Sequence, residues 1–172
     1  MFPNSPPVGF LLRQLYNDRW LRIHSLPESK RYAQTECEHK ELLRRHNRVA
    51  TDVHREGSTC FLIQSKWTKQ KLSSSSWIVD RNIFSGESLS YALDSNLKIE
   101  VSSVVWKSGQ FDSLLIDVAD WKVTMILFVS ISTKCVYAPY DGGVDLILRN
   151  EQEREKKKIM YKNWLSAHPE GL

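Results

Sequence analysis

Two tyrosines, two aspartates and two glycines fall within nine consecutive residues of the stretch "VYAPYDGGVDLIL": Tyr137, Tyr140, Asp141, Gly142, Gly143 and Asp145. Phenols beside carboxylates suit recognition, since the rings offer rigid apolar area and the oxygens give it direction. Asp141-Gly142 is also the pair that a two-residue type I′ turn prefers, because both central positions need φ > 0 and glycine meets that without steric cost. Pro139 has no N–H for a ladder and marks its strand as an edge or a bulge near the tip. A purely structural hairpin accounts for these residues. The alternative is an accessible tip where Tyr137, Tyr140, Asp141 and Asp145 project as a binding surface.

The other residues capable of chemistry form no motif. His39 and His46 lie two helical turns apart, about 10.5 Å along an axis rising ~1.5 Å per residue, too far to share a zinc ion with ligand bonds near ~2.1 Å. His46 reads instead as a hydrogen-bonded core histidine or a hinge contact. Cys37 and Glu41 have i, i+4 spacing but no partner motif, so no metal is assigned. His24 adjoins Ser25, yet neighbours on a strand point to opposite faces, so adjacency makes no dyad. There is no G-x-S-x-G, cysteine-enzyme, Walker or dinucleotide-binding pattern, and no cofactor is expected. A small hydrolase or transferase using Asp141 or Asp145 is the weakest of three readings.

The net charge of +4 is unevenly spread. Residues 1–72 carry 13 Lys/Arg against 7 Asp/Glu, residues 73–148 carry 5 against 9, and residues 149–172 carry 6 against 4. Lys40, Arg44, Arg48 and Arg55 gather on one side of a long amphipathic segment and could track a phosphate backbone. Glu36, Glu38, Glu41 and Asp52 dilute that field, so a solvated helix face is the simpler account.

These residues need elements to hold them. The segment from Ser29 to Glu56 lacks internal glycine or proline, and Gly57 closes it, which predicts the longest helix with Leu42, His46, Val49, Ala50 and Val53 in one apolar arc. "GQFDSLLIDVADW" places Phe111, Leu114, Leu115 and Val118 at i, i+3, i+4 and i+7, again a helix. Asn150 and Glu153 stand in capping-box spacing before a last helix whose Met160, Tyr161, Trp164 and Leu165 make an apolar stripe. A short helix is expected in "VGFLLRQLY" and another in "GESLSYALDSN". Strands are expected in "WLRIHSL", "STCFLIQS", "LKIEVSSVVW", "VTMILFVSI", "CVYAPY" and "VDLIL". "KWTKQKLSSSSWIVDRN", with four consecutive serines, predicts a surface loop.

With 172 residues, 41% hydrophobic and 26% charged, the chain fits a single domain over residues 1–172 with one core. Three scattered cysteines, Cys37, Cys60 and Cys135, argue for reduced thiols. The N-terminus lacks the basic start of a secretory signal, and no apolar run approaches the ~20 residues of a membrane helix. The expectation is a cytoplasmic α+β protein. Its sheet is antiparallel or mixed, with about five or six strands and helices mainly on one face.

The stretches "LRIHSLPESKRYA", "WKSGQFDSLLIDVAD", "ILFVSISTKCVYAPYDGGVDLIL" and "YKNWLSAHPEGL" together resemble an uncharacterised family of small, single-domain bacterial proteins known only as a domain of unknown function. The resemblance implies a bacterial cytoplasmic protein and supplies no catalytic residues. The functional expectation is a non-enzymatic protein-interaction module, immunity- or antitoxin-like, with another protein as partner. Nucleic-acid binding through the basic helix is the runner-up.

Overall fold

A computed structural model describes residues 5–67, 89–94 and 97–166. Their strands are β1 (Trp20–His24), β2 (Thr59–Trp67), β3 (Leu89–Asp94), β4 (Leu97–Val105), β5 (Ile126–Ser130), β6 (Cys135–Tyr140) and β7 (Gly143–Ile147). Their α-helices are α1 (Gly9–Leu15), α2 (Glu36–His54), α3 (Asp112–Ala119) and α4 (Glu151–Met160). The seven strands make one sheet in the order β1-β7-β6-β5-β2-β4-β3, and every pairing is antiparallel. The α+β class is as expected.

Alternation along the strands separates two apolar layers. Leu21 and Ile23 of β1, Leu62 of β2, Phe128 of β5, Tyr137 of β6 and Leu146 of β7 point into the main core with α2 and α3. Leu127, Val136, Ala138 and Ile147 face the other way and bury Leu12 of α1. Among the described residues helices thus lie mainly on one face, with the short α1 on the second. No helix among the described residues is long and apolar enough to cross a membrane.

Helix α2 begins later than its composition predicts. Pro27–Ser29 form a 3-10 turn in which Glu28 and Ser29 both have φ of 56°, and Thr35 then caps the helix. The cap is reciprocal: Thr35 Oγ1 accepts from the Glu38 N–H, and Glu38 Oε2 accepts from the Thr35 N–H. The five residues of the expected apolar arc are all buried. Arg55, at φ 70°, closes the helix, and Gly57 follows at φ 75°. In α4 the Asn150 side chain accepts from the Glu153 N–H as its spacing predicts. Tyr161, Trp164 and Leu165 of the expected stripe pack on the core, whereas Met160 is exposed.

Two expectations change. Residues 89–94 of "GESLSYALDSN" form strand β3 rather than a helix, because pairing with β4 outweighs their weak helical pattern. The expected serine-rich loop lies outside the described residues except at its start, where Lys66 and Trp67 extend β2.

Candidate functional site

The β6–β7 hairpin pairs Tyr140 with Gly143 across Asp141 and Gly142. Neither turn residue has φ > 0, so the turn is not type I′ and the glycines serve a different purpose. A Cβ on Gly143 would lie 2.1 Å from the Ile23 carbonyl oxygen, so glycine allows β1 and β7 to pair at full approach. A Cβ on Gly142 would lie 2.9 Å from Tyr140 Cε2 and 3.5 Å from Arg31 Cγ, so those two side chains close over the turn. Pro139 lies past the end of the β5 ladder, which stops at Tyr137, and its missing N–H therefore costs no rung on that side.

The expected accessible surface is not arranged as anticipated. Tyr137 is 0% exposed, Asp141 3% and Asp145 6%, and the side chains leave the hairpin in different directions. Tyr137 enters the main core, while Asp145 and Tyr140 meet Arg22 on the opposite face. Asp141 sits at the tip beneath Arg31 and Tyr32.

The two aspartates are held by one recipe. Asp145 accepts from Arg22 Nε (2.8 Å), Arg22 Nη2 (2.9 Å) and Trp20 Nε1 (2.9 Å). Asp141 accepts from Arg31 Nε (2.6 Å), Arg31 Nη2 (3.1 Å) and the Tyr32 hydroxyl (2.9 Å). An arginine fork plus one aromatic donor engages every carboxylate oxygen, and forked pairs of this kind are geometrically rigid. For either aspartate to act as base or nucleophile, its fork must first break. Each instead fixes an arginine against aromatic rings.

The result is a strip of alternating arginines and rings. Arg13 and Arg22 each lie 5.5 Å from the Trp20 ring, and Arg22 lies 4.6 Å from Tyr140. Across Gly142, Arg31 lies 5.7 Å from Tyr32 and 6.0 Å from Trp121. These separations are within cation–π range. Burial pushes the Tyr140 hydroxyl up to about 12, so that ring stays neutral. Tyr32 and Trp121 remain 49% and 61% exposed, and Trp121 has a left-handed φ of 61°. Sequence reasoning did not assign Arg31, Tyr32 or Trp121 to the hairpin. Their signal was an unpaired aromatic in each of two loops, and only the fold brings those loops to the hairpin.

Beneath the strip, on the core side, Ser25 Oγ lies 2.7 Å from His46 Nε2, and His46 Nδ1 lies 2.5 Å from the Tyr137 hydroxyl. Nucleophile, base and orienting group thus stand in line. Ser25 is only 2% exposed, and the cleft between it, His24 and Arg45 has no room for a water molecule. Burial lowers His46 to about 4, so the ring is a neutral bridge from the end of β1 through α2 to β6. His46 is the hydrogen-bonded core histidine expected from its position. The partner of Ser25 is this residue, 21 positions away, and not the adjacent His24.

Of the alternative basic face, Lys40, Arg44 and Arg48 line one open groove of about 590 Å³ between α2 and the loop before α3; Arg55 does not. Among the described residues no group of acidic, histidine and cysteine side chains could hold a metal ion, and Cys37, Cys60 and Cys135 are free thiols.

A family model described as a domain of unknown function, DUF3885, matches residues 8–169. The match contains three of the four stretches that carry the resemblance and the fourth as far as Pro169. No curated protein and no solved structure matches the chain.

Proposed function

The chain belongs to the DUF3885 family, and from that premise and the geometry of the hairpin we propose that it is a non-enzymatic protein-interaction module. The observation that carries this reading is Arg31, pinned by buried Asp141 between the exposed rings of Tyr32 and Trp121. Tryptophan, tyrosine and arginine dominate binding energy at protein interfaces. Here the arginine is already ordered, which reduces the entropy lost when a partner docks. Glu28, Ser29 and Trp121, in the two loops that present the cluster, adopt left-handed backbone conformations, as segments shaped for recognition commonly do. Such a surface suits a protein that masks its partner, as immunity proteins and antitoxins do.

The test is affinity capture with tagged protein, washed through a salt series, comparing wild type with Trp121→Ala, Tyr32→Ala and, as a control elsewhere on the surface, Ile159→Ala. A protein partner should survive high salt and weaken at least about tenfold with either cluster variant, while Ile159→Ala retains it. A partner held equally by all four proteins would sink the proposal.

A further inference from the structure

A second surface, independent of the hairpin, is the groove of about 590 Å³ between α2 and the loop before α3. Its volume is typical of small-molecule sites, which span roughly 300–1,000 Å³. One wall carries Lys40, Arg44 and Arg48 at i, i+4 and i+8, a row spanning about 12 Å at ~1.5 Å per residue. Asn47 pins the facing wall to the helix: its Oδ1 accepts from the Gly109 N–H (2.8 Å) and its Nδ2 donates to Asp112 (2.6 Å). The groove is therefore bounded by a helix and a loop tied together.

We infer that this groove binds a ligand bearing a phosphate chain, of the size of a nucleoside polyphosphate. The positive charge of the wall is only partly cancelled. Glu41 is shared between Arg44 and Arg45, so one carboxylate serves two guanidiniums. Lys40 pairs with Glu36 where both side chains are largely exposed, and such a surface pair exchanges readily for a stronger anion. Arg48 is exposed at the end of the row, and the nearby Tyr161 hydroxyl donates to Asp52, a carboxylate already engaged by Lys157. Asp112 is the opposing charge on the far wall, and it favours a ligand whose phosphates lie against α2 with the remainder of the molecule across the groove. A lone carboxylate would use one of the three cations, whereas linked phosphates can engage the row: Arg44 contributes charge while its fork stays on Glu41, and Arg48 offers a guanidinium whose geometry matches phosphate oxygens. The N–H groups of Ser108 and Gly109 are already bonded to Glu56 and Asn47, so side chains rather than backbone hold the anion.

Titration calorimetry of the full chain with ATP, inorganic triphosphate, adenosine and a single-stranded oligonucleotide tests this. ATP and triphosphate should bind and adenosine should not. Arg48→Ala and Lys40→Ala should each weaken binding about tenfold, while Lys156→Ala on α4 leaves it unchanged. Tight binding of the oligonucleotide with none of ATP or triphosphate would overturn the inference in favour of a strand-binding face. Absence of binding by every phosphate-bearing probe, or binding indifferent to both Arg48 and Lys40, would overturn the inference. Circular dichroism of the variants, all altered at exposed positions, separates lost binding from lost folding.

Discussion

At Tyr137 a single hydroxyl oxygen meets the only free edge of a histidine that is itself almost fully buried. Removing that oxygen leaves His46 Nδ1 without its partner in a place where water does not reach, and an orphaned buried polar group costs about 1–3 kcal/mol. Tyr137→Phe, which keeps the ring that packs against Phe128 and Trp106, is therefore expected to lower stability by about that amount in urea denaturation, with the m-value unchanged. A variant as stable as wild type would show that the Ser25–His46–Tyr137 line is not an anchor. The histidine's buried setting was legible from the apolar arc of its helix. Its two hydroxyl partners were not, because they lie 21 and 91 residues away and nothing local distinguishes them.

At the scale of elements, the β6–β7 hairpin shows where sequence reasoning stops. The boundaries of β6 followed from its β-forming residues, and the tip followed from Asp141-Gly142. The reason for the glycines did not, since a dipeptide that suits one turn type can be required by the approach of a distant strand. Gly143 is set by the Ile23 carbonyl of β1, and no local pattern encodes that contact. Gly143→Ala should consequently cost about 3 kcal/mol or more by forcing β1 and β7 apart. Gly57→Ala, where the added methyl meets open space and only a left-handed backbone is strained, should cost about 1 kcal/mol. Equal denaturation midpoints for the two variants would contradict this account. Helices α3 and α4 were the most readable elements, since a clean 3.6-residue period and an N-cap are local signals. Strand β3 was misread as a helix because its pairing with β4, rather than its composition, determines it.

The whole molecule carries an acid sensitivity in its core. His46 and His54 both point from α2 into the main core, and burial lowers them from 6.5 to about 4 and about 3. Neither ring nitrogen of His54 has a hydrogen-bond partner, and its ring is surrounded by Trp106, Phe128 and Tyr137. The unfolded chain protonates both histidines as pH falls through 6.5, whereas the folded chain does not until near 4, so their contribution is fully present above 6.5 and is lost below it. Each can remove up to ~1.4 kcal/mol per pH unit in that window, a substantial fraction of a typical stability of about 5–15 kcal/mol. Glu38 and Glu41, held to about 2 by Lys30 and by Arg44, act only at lower pH. The urea midpoint should therefore drop steadily from pH 7 to pH 4.5, and His54→Phe should flatten the slope. A midpoint constant over that range would rule the effect out.

The strand order has a further consequence for how the chain is made. Of the seven described strands β1 is synthesised first and β7 last, and Trp20 and Asp145, which join them, are 125 residues apart. At about 5–20 residues per second on the ribosome, β1 waits roughly 6–25 s for β7, its one partner among the described strands. During that interval Leu21 and Ile23 have no completed core to enter. The nascent chain thus passes through a period in which its earliest strand depends on collapse with α2, or on a chaperone, to avoid pairing with another polypeptide.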